Sequence, residues 1–383
     1  MTVPGFTSTL SKRPEDLFGT VHDVPVRMTR AAGCTVWDDR GREYVDLVMG
    51  LGAVALGYGH PAVVEAAERG LRDGIVGPLA PVLEARVAEK LCAVLPGAEA
   101  ARFLKTGAEA VAAAVRIARA YSGRDRVLSC GYHGWLDWCQ DGRGVPESVR
   151  SLRSPIPFND VDALLQSVGD GDDVAAIVVE PIVDEPPTAT WLEALRREAT
   201  RVGALLVFDE IKTAFRVATG GVAERWGVTP DLTVVGKALG NGLPIAAVAG
   251  GHDVMRVVND TWISSTLATE MVSLAAADAV LDTFRSQDVP QHLSRVGTLL
   301  FNDFGRLAEQ HPQIVRRVRG VPEMCYLEFR TPAASAQTAQ AAARRSLLLK
   351  RSAYNFVSLA HTDAVLTAVR ERLEAALEEV SAC

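Results

Sequence analysis

Residues 204–210 read ALLVFDE, five apolar side chains in unbroken succession and then two carboxylates. The run is too short for a helix and as apolar as a central strand becomes, so it predicts a strand buried on both faces. Its ending matters as much, because a carboxylate left buried and unpaired costs several kcal/mol. Asp209 and Glu210 therefore either cap the helix that follows, sit in an ion pair, or, for Asp209, face a cation such as a protonated heterocycle nitrogen.

Working outward, similar runs recur at 102–104, 126–129, 175–179, 232–235 and 245–249, with helix-length segments such as 108–121 and 190–202 between them. Near-continuous apolar strands alternating with helices predict an α/β core around a mostly parallel sheet covered on both faces. Ligands bind such sheets at the carboxyl ends of the strands. The residues just past each run are therefore the candidates: Lys105-Thr106-Gly107, Cys130-Gly131-Tyr132-His133-Gly134, Glu180-Pro181, Asp209-Glu210 and Gly236-Lys237. Lys237 lies 28 residues beyond Asp209, enough for one helix and a return strand, so both side chains can face one cleft.

Each candidate has a plain reading beside the chemical one. Lys237 is a solvated loop residue or a held amine. Thr106-Gly107 opens an alanine-rich helix whose free amides and positive dipole end attract an anion, although most such turns bind nothing. Tyr132 is core packing or a flat ring for stacking on a planar cofactor. Together with a lysine and a carboxylate, the anion implied at Gly107 is a phosphate. Gly50-Leu51-Gly52-Ala53-Val54-Ala55 matches a dinucleotide fingerprint, but Gly57, Gly59 and Pro61 follow at once, so the stretch does not open the helix that motif requires. No phosphate loop of the GxxxxGK[ST] form ends at Lys237.

The whole chain is ordinary for a globular protein, with 383 residues, 48% hydrophobic and 23% charged. A formal net charge of −7 points away from nucleic acid and from anionic membranes. The start, MTVPGFTSTLSKRPEDLF, lacks the pattern of a secretory signal, and no stretch is apolar enough for a spanning helix. Six cysteines, Cys34, Cys92, Cys130, Cys139, Cys325 and Cys383, form no CxxC pair, which favours reduced thiols in a cytoplasmic protein and no metal site. Residues 35–46, TVWDDRGREYVD, read as two short strands joined at Asp38 to Gly41, and 275–310 and 362–382 read as amphipathic helices. The expected division is a large domain over 49–274 and a smaller discontinuous α+β domain from 1–48 and 275–383.

These pieces resemble the class III aminotransferases of pyridoxal phosphate fold type I, and within them the branch containing glutamate-1-semialdehyde 2,1-aminomutase. The matching stretches are GCTVWDDRGREYVD (33–46), LGYGHPAVVEAA (56–67), KTGAEAVAAAVRIARAYSGRDRV (105–127), GYHGWLD (131–137), VVEP (178–181), LLVFDEIKTAFR (205–216), GVTPDLTVVGKALGNGLPIAAVAG (227–250) and NFVSLAHT (355–362). They span nearly the whole chain in the family's order. The resemblance implies pyridoxal 5′-phosphate as cofactor and a large domain built on a mostly parallel seven-stranded sheet. It also implies that Lys237 holds the cofactor and moves the substrate proton, and that Asp209 keeps the pyridine nitrogen protonated so that the ring stays an electron sink. Ile211 and Tyr132 would cover the two ring faces, with His133 beside them. Gly107 and Ala108 would offer amides to the phosphate, and Glu180 would sit near the cofactor in support. Thr266 matches a residue that reaches the phosphate of a neighbouring subunit, which implies a homodimer with its sites at the interface.

The chain also departs from the pattern. Ala108 stands where serine or threonine is usual, Lys105 where a small polar residue is common, and Glu270 where asparagine follows the threonine. The stretch between Glu328 and Arg345 is short. Arg13 does not align with the aminomutase's substrate-binding arginine, and KRSAYNFVS lacks its carboxylate. Arg216 reads equally as a structural ion pair and as a substrate contact. The expected activity is transfer of an amino group between an amino donor and an aldehyde or ketone, in a specialised bacterial pathway. An aminomutase of the glutamate-1-semialdehyde type, or a cofactor-binding relative without catalysis, are the alternatives.

Overall fold

The computed structural model describes residues 2–382, and Cys383 lies outside them. The chain divides into two compact units, one formed by Pro61–Pro290 and the other by the residues up to His60 with those from Gln291 onward. Residues 49–60 thus group with the chain ends and 275–290 with the middle, whereas the sequence pattern places these boundaries at 48/49 and 274/275. The difference comes mainly from one helix, Met271–Ser286, whose buried Leu274, Ala277, Val280 and Leu281 give it a good apolar face without naming the core it serves.

In the central unit the apolar runs form one seven-stranded sheet. Its strands are β1 (Ala100–Leu104), β2 (Arg126–Cys130), β3 (Arg153–Pro155), β4 (Val174–Val179), β5 (Leu205–Asp209), β6 (Leu232–Val235) and β7 (Ala246–Gly250), in the spatial order β1-β7-β6-β5-β4-β2-β3. Strands β3, β2, β4, β5 and β6 pair in parallel, and β7 is antiparallel to both β6 and β1. Every strand but β7 therefore ends at the same edge. Strand β3, which the sequence pattern does not announce, lies at the sheet's end and pairs Pro155 beside Ser129. A proline is tolerated there because an edge strand offers its N–H side to no neighbour.

Helix α1 (Gly107–Ser122) shows how sequence sets this packing. Ala110, Val111, Ala114, Ile117 and Ala118 recur at intervals of three and four and are buried. They pack in one cluster with Val127 of β2, Val178 of β4, Val207 of β5 and Val234 of β6. Each buried valine or isoleucine there contributes roughly 1.5–3 kcal/mol relative to exposure. Gly123, at φ +69, stops the helix in a left-handed cap that a side chain would strain.

The unit from the chain ends carries two small sheets. Thr35–Asp38 and Glu43–Asp46 pair antiparallel as the sequence predicts, with Met28–Ala32 on one side and Leu347–Leu348 on the other. Buried Asp38 fixes the intervening turn by accepting from the amides of Arg40 and Arg42, each at 2.9 Å. The second sheet joins Val315–Val321, Met324–Phe329 and Asn355–Phe356. The glycine run at 50–52 lies in a kinked turn, with Gly50 and Leu51 at positive φ, and the next helix begins only at Pro61. That geometry does not supply a dinucleotide-binding helix.

Candidate active site

The residues past the parallel strands gather at one edge of the sheet. Asp209, the last residue of β5, is buried, and its Oδ2 lies 2.8 Å from Nδ1 of His133, the third residue past β2. His133 is buried too and stacks on Trp138, with ring centroids 5.8 Å apart. The other Asp209 oxygen, Oδ1, accepts only a long bond of 3.3 Å from the Ile211 amide among the described residues. One carboxylate oxygen is thus held by an imidazole, while the other has capacity for a further donor.

Glu210, one residue on, has a different task. It accepts from the amides of Val222 at 3.0 Å and Ala223 at 2.9 Å and from the hydroxyl of Thr213, so it caps the short helix Gly221–Trp226. Burial pushes its carboxyl up to about 7 against the pull of those hydrogen bonds. Of the two adjacent carboxylates, Glu210 is the helix cap and Asp209 is the group facing the sheet edge.

Lys237 opens the turn that follows β6, at φ +43, a left-handed conformation that is uncommon for a residue with a side chain. Its amine is desolvated by burial, and the charge of Lys212 acts on it in the same direction. Both effects depress its basicity, which Glu180 and Asp209 oppose, and it ends at about 8 instead of the ordinary 10.5. Glu180, past β4, accepts the Tyr132 amide on Oε2 at 2.9 Å and binds the Lys212 ammonium through Oε1 at 2.9 Å. Gly131, at φ +102, lets the chain pass over that carboxylate, since a methyl there would stand 2.6 Å from Glu180 Oε2. The Tyr132 ring is 68% exposed, so its face is open.

The turn before α1 completes the edge. Thr106 and Glu109 form a reciprocal capping box, with Glu109 N donating to Thr106 Oγ1 at 3.2 Å and Thr106 N donating to Glu109 Oε2 at 2.8 Å. Among the described residues this leaves the amides of Gly107 and Ala108 without an acceptor. Ile211 lies over Gly107, where a methyl would come within 2.6 Å of its Cδ1, and Ala108 lies against Gly134. Lys105 and Glu270, both departures from the family pattern, bind one another at 2.6 Å. Burial raises the Glu270 carboxyl, but hydrogen bonds from Lys105 and Ser273 outweigh that and leave it lowered. Thr266 is exposed in the segment before Met271 and has no hydrogen bond to this cluster. Two cavities, of about 370 and 330 Å³, are lined by residues such as His252 and Arg256, and Leu79 and Thr269; neither is lined by Lys237 or Asp209.

A family model of "Aminotransferase class-III" matches residues 19–140 and 151–383. The chain belongs to the class III aminotransferase family. A curated relative, glutamate-1-semialdehyde 2,1-aminomutase of Syntrophobacter fumaroxidans, is 36% identical over 293 residues, covering 70% of this chain and 67% of its own. Among solved structures, the pyridoxal phosphate internal aldimine form of the FumI protein of Sphingopyxis sp. MTA144 superposes with a TM-score of 0.91 at 25% identity, covering 96% of this chain and 91% of that one. An omega-transaminase from Sphaerobacter thermophilus superposes with a TM-score of 0.88 at 24% identity, covering 99% and 95%. This class III aminotransferase is a pyridoxal phosphate-dependent enzyme of fold type I, in the branch that includes the aminomutase.

The residues present fit that cofactor. Two unpartnered amides at a helix start suit a phosphate, an under-used carboxylate oxygen suits a protonated ring nitrogen, and a desolvated amine suits an aldehyde. Reading the sequence did not single out Lys212, although it lies inside the quoted stretch LLVFDEIKTAFR, nor Trp138, which backs His133. The signal for Lys212 was a charged residue in a segment that is otherwise buried.

Proposed function

We propose that this enzyme moves an amino group between an amino donor and an aldehyde or ketone. The observation that carries the reading is the convergence of Lys237, Asp209 and the free amides at Gly107 and Ala108 on one sheet edge. Pyridoxal phosphate supplies an electron sink and a carrier for the amino group when bound. Lys237 would hold the cofactor and, once displaced, carry the proton to and from the substrate carbon. Its lowered basicity leaves about one molecule in eleven neutral at pH 7, against roughly one in three thousand for an ordinary lysine. Asp209, oriented by His133, would hold the ring nitrogen in its protonated form. Gly107 and Ala108 would bind the phosphate, and Ile211 and Tyr132 would flank the ring, with Glu180 bracing Tyr132.

We infer a homodimer in which Thr266 approaches the partner's phosphate. Support comes from its exposure and from the exposed apolar side chains of the same segment, Trp262 at 91% and Leu267 at 53%. The free thiols of Cys34, Cys92, Cys130, Cys139 and Cys325 are compatible with a cytoplasmic enzyme. Among the described residues no helix is long and apolar enough to cross a membrane. A substrate of a specialised pathway, in place of glutamate semialdehyde, is favoured because Arg13 does not align with the aminomutase's substrate-binding arginine and KRSAYNFVS lacks its carboxylate.

The second reading, an aminomutase, draws on the 36% identical relative of that name. A panel of amino donors and carbonyl acceptors separates the two. The aminotransferase reading requires donor to be consumed with release of its carbonyl product, followed by amination of a separate acceptor. Migration of an amino group within one molecule, with no acceptor needed and no carbonyl product released, would establish the aminomutase instead.

A further inference from the structure

Two carboxylates are tied to the turn that opens α1. Glu109 is one, and its Oε2 accepts from the amides of Lys105 at 3.2 Å and Thr106 at 2.8 Å. Glu270 is the other, and it caps the helix Met271–Ser286: Oε2 accepts from the Val272 amide at 2.7 Å and Oε1 from the Ser273 amide at 3.0 Å. Lys105 Nζ is 2.6 Å from the same Oε1, the two side chains being 13% and 11% exposed. Arg102, within β1, donates to the Ile263 carbonyl at 3.1 and 2.6 Å. Strand β1 and the residue after it therefore hold both ends of the segment 263–270.

A charged cap is an awkward choice at this place. Asparagine, serine or threonine caps a helix without charge, whereas Glu270 brings a negative charge toward a turn whose free amides, at Gly107 and Ala108, suit an anion. At most ~7 Å of backbone separates Lys105 from Gly107, and charges act over a screening length of ~8–10 Å, further where they are partly buried. Glu270 cannot withdraw, because its oxygens are engaged by the helix amides and the next residue is fixed by the Met271 amide donating to the Ile75 carbonyl at 2.7 Å. Burial acts to raise its carboxyl, and hydrogen bonds from Lys105 and Ser273 hold it below the ordinary value, so the cap is charged. Among the described residues, Lys105 is the cation paired with it.

Resting on the reading that Gly107 and Ala108 take the cofactor's phosphate, we propose that Lys105 is a positioning residue for that phosphate: its ammonium cancels the charge of the Glu270 cap, so that a turn with a carboxylate beside it accepts a dianion. The departures from the family pattern at 105 and 270 are then one feature, a charged cap and the cation that neutralises it. The resemblance to the family assigns neither position a role.

The test uses the full chain stripped of cofactor and titrated with pyridoxal phosphate and, separately, with pyridoxal, which lacks the phosphate. Visible absorbance reports binding, and circular dichroism checks that each variant folds. The unaltered chain should bind pyridoxal phosphate more tightly than pyridoxal. Lys105→Met should weaken pyridoxal phosphate about tenfold, the effect of a unit charge roughly 10 Å from a dianion at an effective dielectric of about 20 once salt has screened it. Pyridoxal should stay within about twofold, and Lys105→Arg should keep the affinity for both. Glu270→Asn keeps a cap and removes the charge, so it should not weaken pyridoxal phosphate, and in the double variant it should restore what Lys105→Met loses. A merely structural tie would lose affinity in both single variants, for pyridoxal too, and would not recover in the double. If Lys105→Met does not fold, Glu270→Asn decides, and weaker pyridoxal phosphate binding in it overturns the proposal. An unaltered chain that prefers pyridoxal phosphate, with that preference unmoved in Lys105→Met, defeats the inference alone. An unaltered chain with no such preference defeats the phosphate reading as well.

Discussion

Gly107→Ala tests the construction of the site through a single carbon. Gly107 is the first residue of a 16-residue helix and has no left-handed backbone, so helix propensity favours alanine by up to about 1 kcal/mol. The added methyl would stand 2.6 Å from Ile211 Cδ1 and 3.4 Å from Cγ1, where carbons ordinarily rest ~3.5–4.0 Å apart. Ile211 must swing by roughly 1 Å, and overpacking of this kind costs about 1–3 kcal/mol. The two effects oppose one another in folding, so urea unfolding should show a loss of at most ~3 kcal/mol. They do not oppose one another in cofactor binding, because the displaced Ile211 side chain turns toward the ring face it is proposed to flank. Pyridoxal phosphate should then bind about 5- to 150-fold more weakly. Ile211→Val removes the clashing Cδ1 at a cost of about 0.5–1.5 kcal/mol alone, and in the double variant it should restore most of the affinity. Absorbance titration of the stripped chain and its three variants completes the cycle. Unchanged affinity in Gly107→Ala, or purely additive losses in the double variant, would refute the placement of Ile211 between Gly107 and the cofactor.

Three further perturbations follow from the same geometry. Lys237→Met should abolish the visible absorbance of bound cofactor and yet stabilise the stripped chain. A lysine whose folded value is lowered to about 8 from 10.5 penalises folding fully below pH 8, by up to about 3 kcal/mol, and the penalty fades as pH rises toward 10.5. Urea midpoints at pH 7 and above 10 should show the gain and its disappearance. Glu210→Gln has the opposite sign, since a carboxyl raised to about 7 from 4.5 makes the unaltered chain lose up to about 3 kcal/mol between those pH values. The glutamine variant lacks that slope but sets an amide donor against the Ala223 N–H, costing about 1–3 kcal/mol, so it should be the less stable chain at pH 5 and close the gap by pH 8. His133→Phe leaves the buried Asp209 oxygen without its 2.8 Å partner and should cost about 2 kcal/mol or more; a loss below ~0.5 kcal/mol would show that the pair is not the support described.

Much of this architecture is legible in sequence, for a physical reason. Strands buried on both faces need continuous apolar runs, and β4, β5 and β6 display them, so their ends could be read and the groups past them gathered into one edge. Strand β3 could not be read, because Arg153–Pro155 is a short edge strand with no apolar run. The sequence pattern divides the chain near 274 and the compact unit runs to Pro290, because periodicity shows which face of Met271–Ser286 is buried but not against which core. The Lys212–Glu180 pair joins residues 32 positions apart in the chain (212 − 180) and is created only by strand order. A charge in an apolar segment announces that some partner exists. It does not name the partner.

Asp209 and Glu210 show where such reading must hand over to coordinates. In sequence the two carboxylates are neighbours with the same alternatives, a helix cap, an ion pair or a cation to face. Successive side chains at the end of a strand point to opposite sides. One is therefore committed to the His133 side and the other to the helix Gly221–Trp226 as soon as the phase of β5 is set. The phase is set by packing, and so is the room for each outcome. At Gly221, at φ +74, an added methyl would stand 2.2 Å from Glu210 Oε2, so that helix start is shaped to the glutamate. Glu210 is thereby held among amides whose need for an acceptor belongs to the fold. Asp209 keeps an oxygen whose neighbours do not use it fully, and that unmet capacity, more than the presence of a carboxylate, is what marks the side of the strand where chemistry is expected.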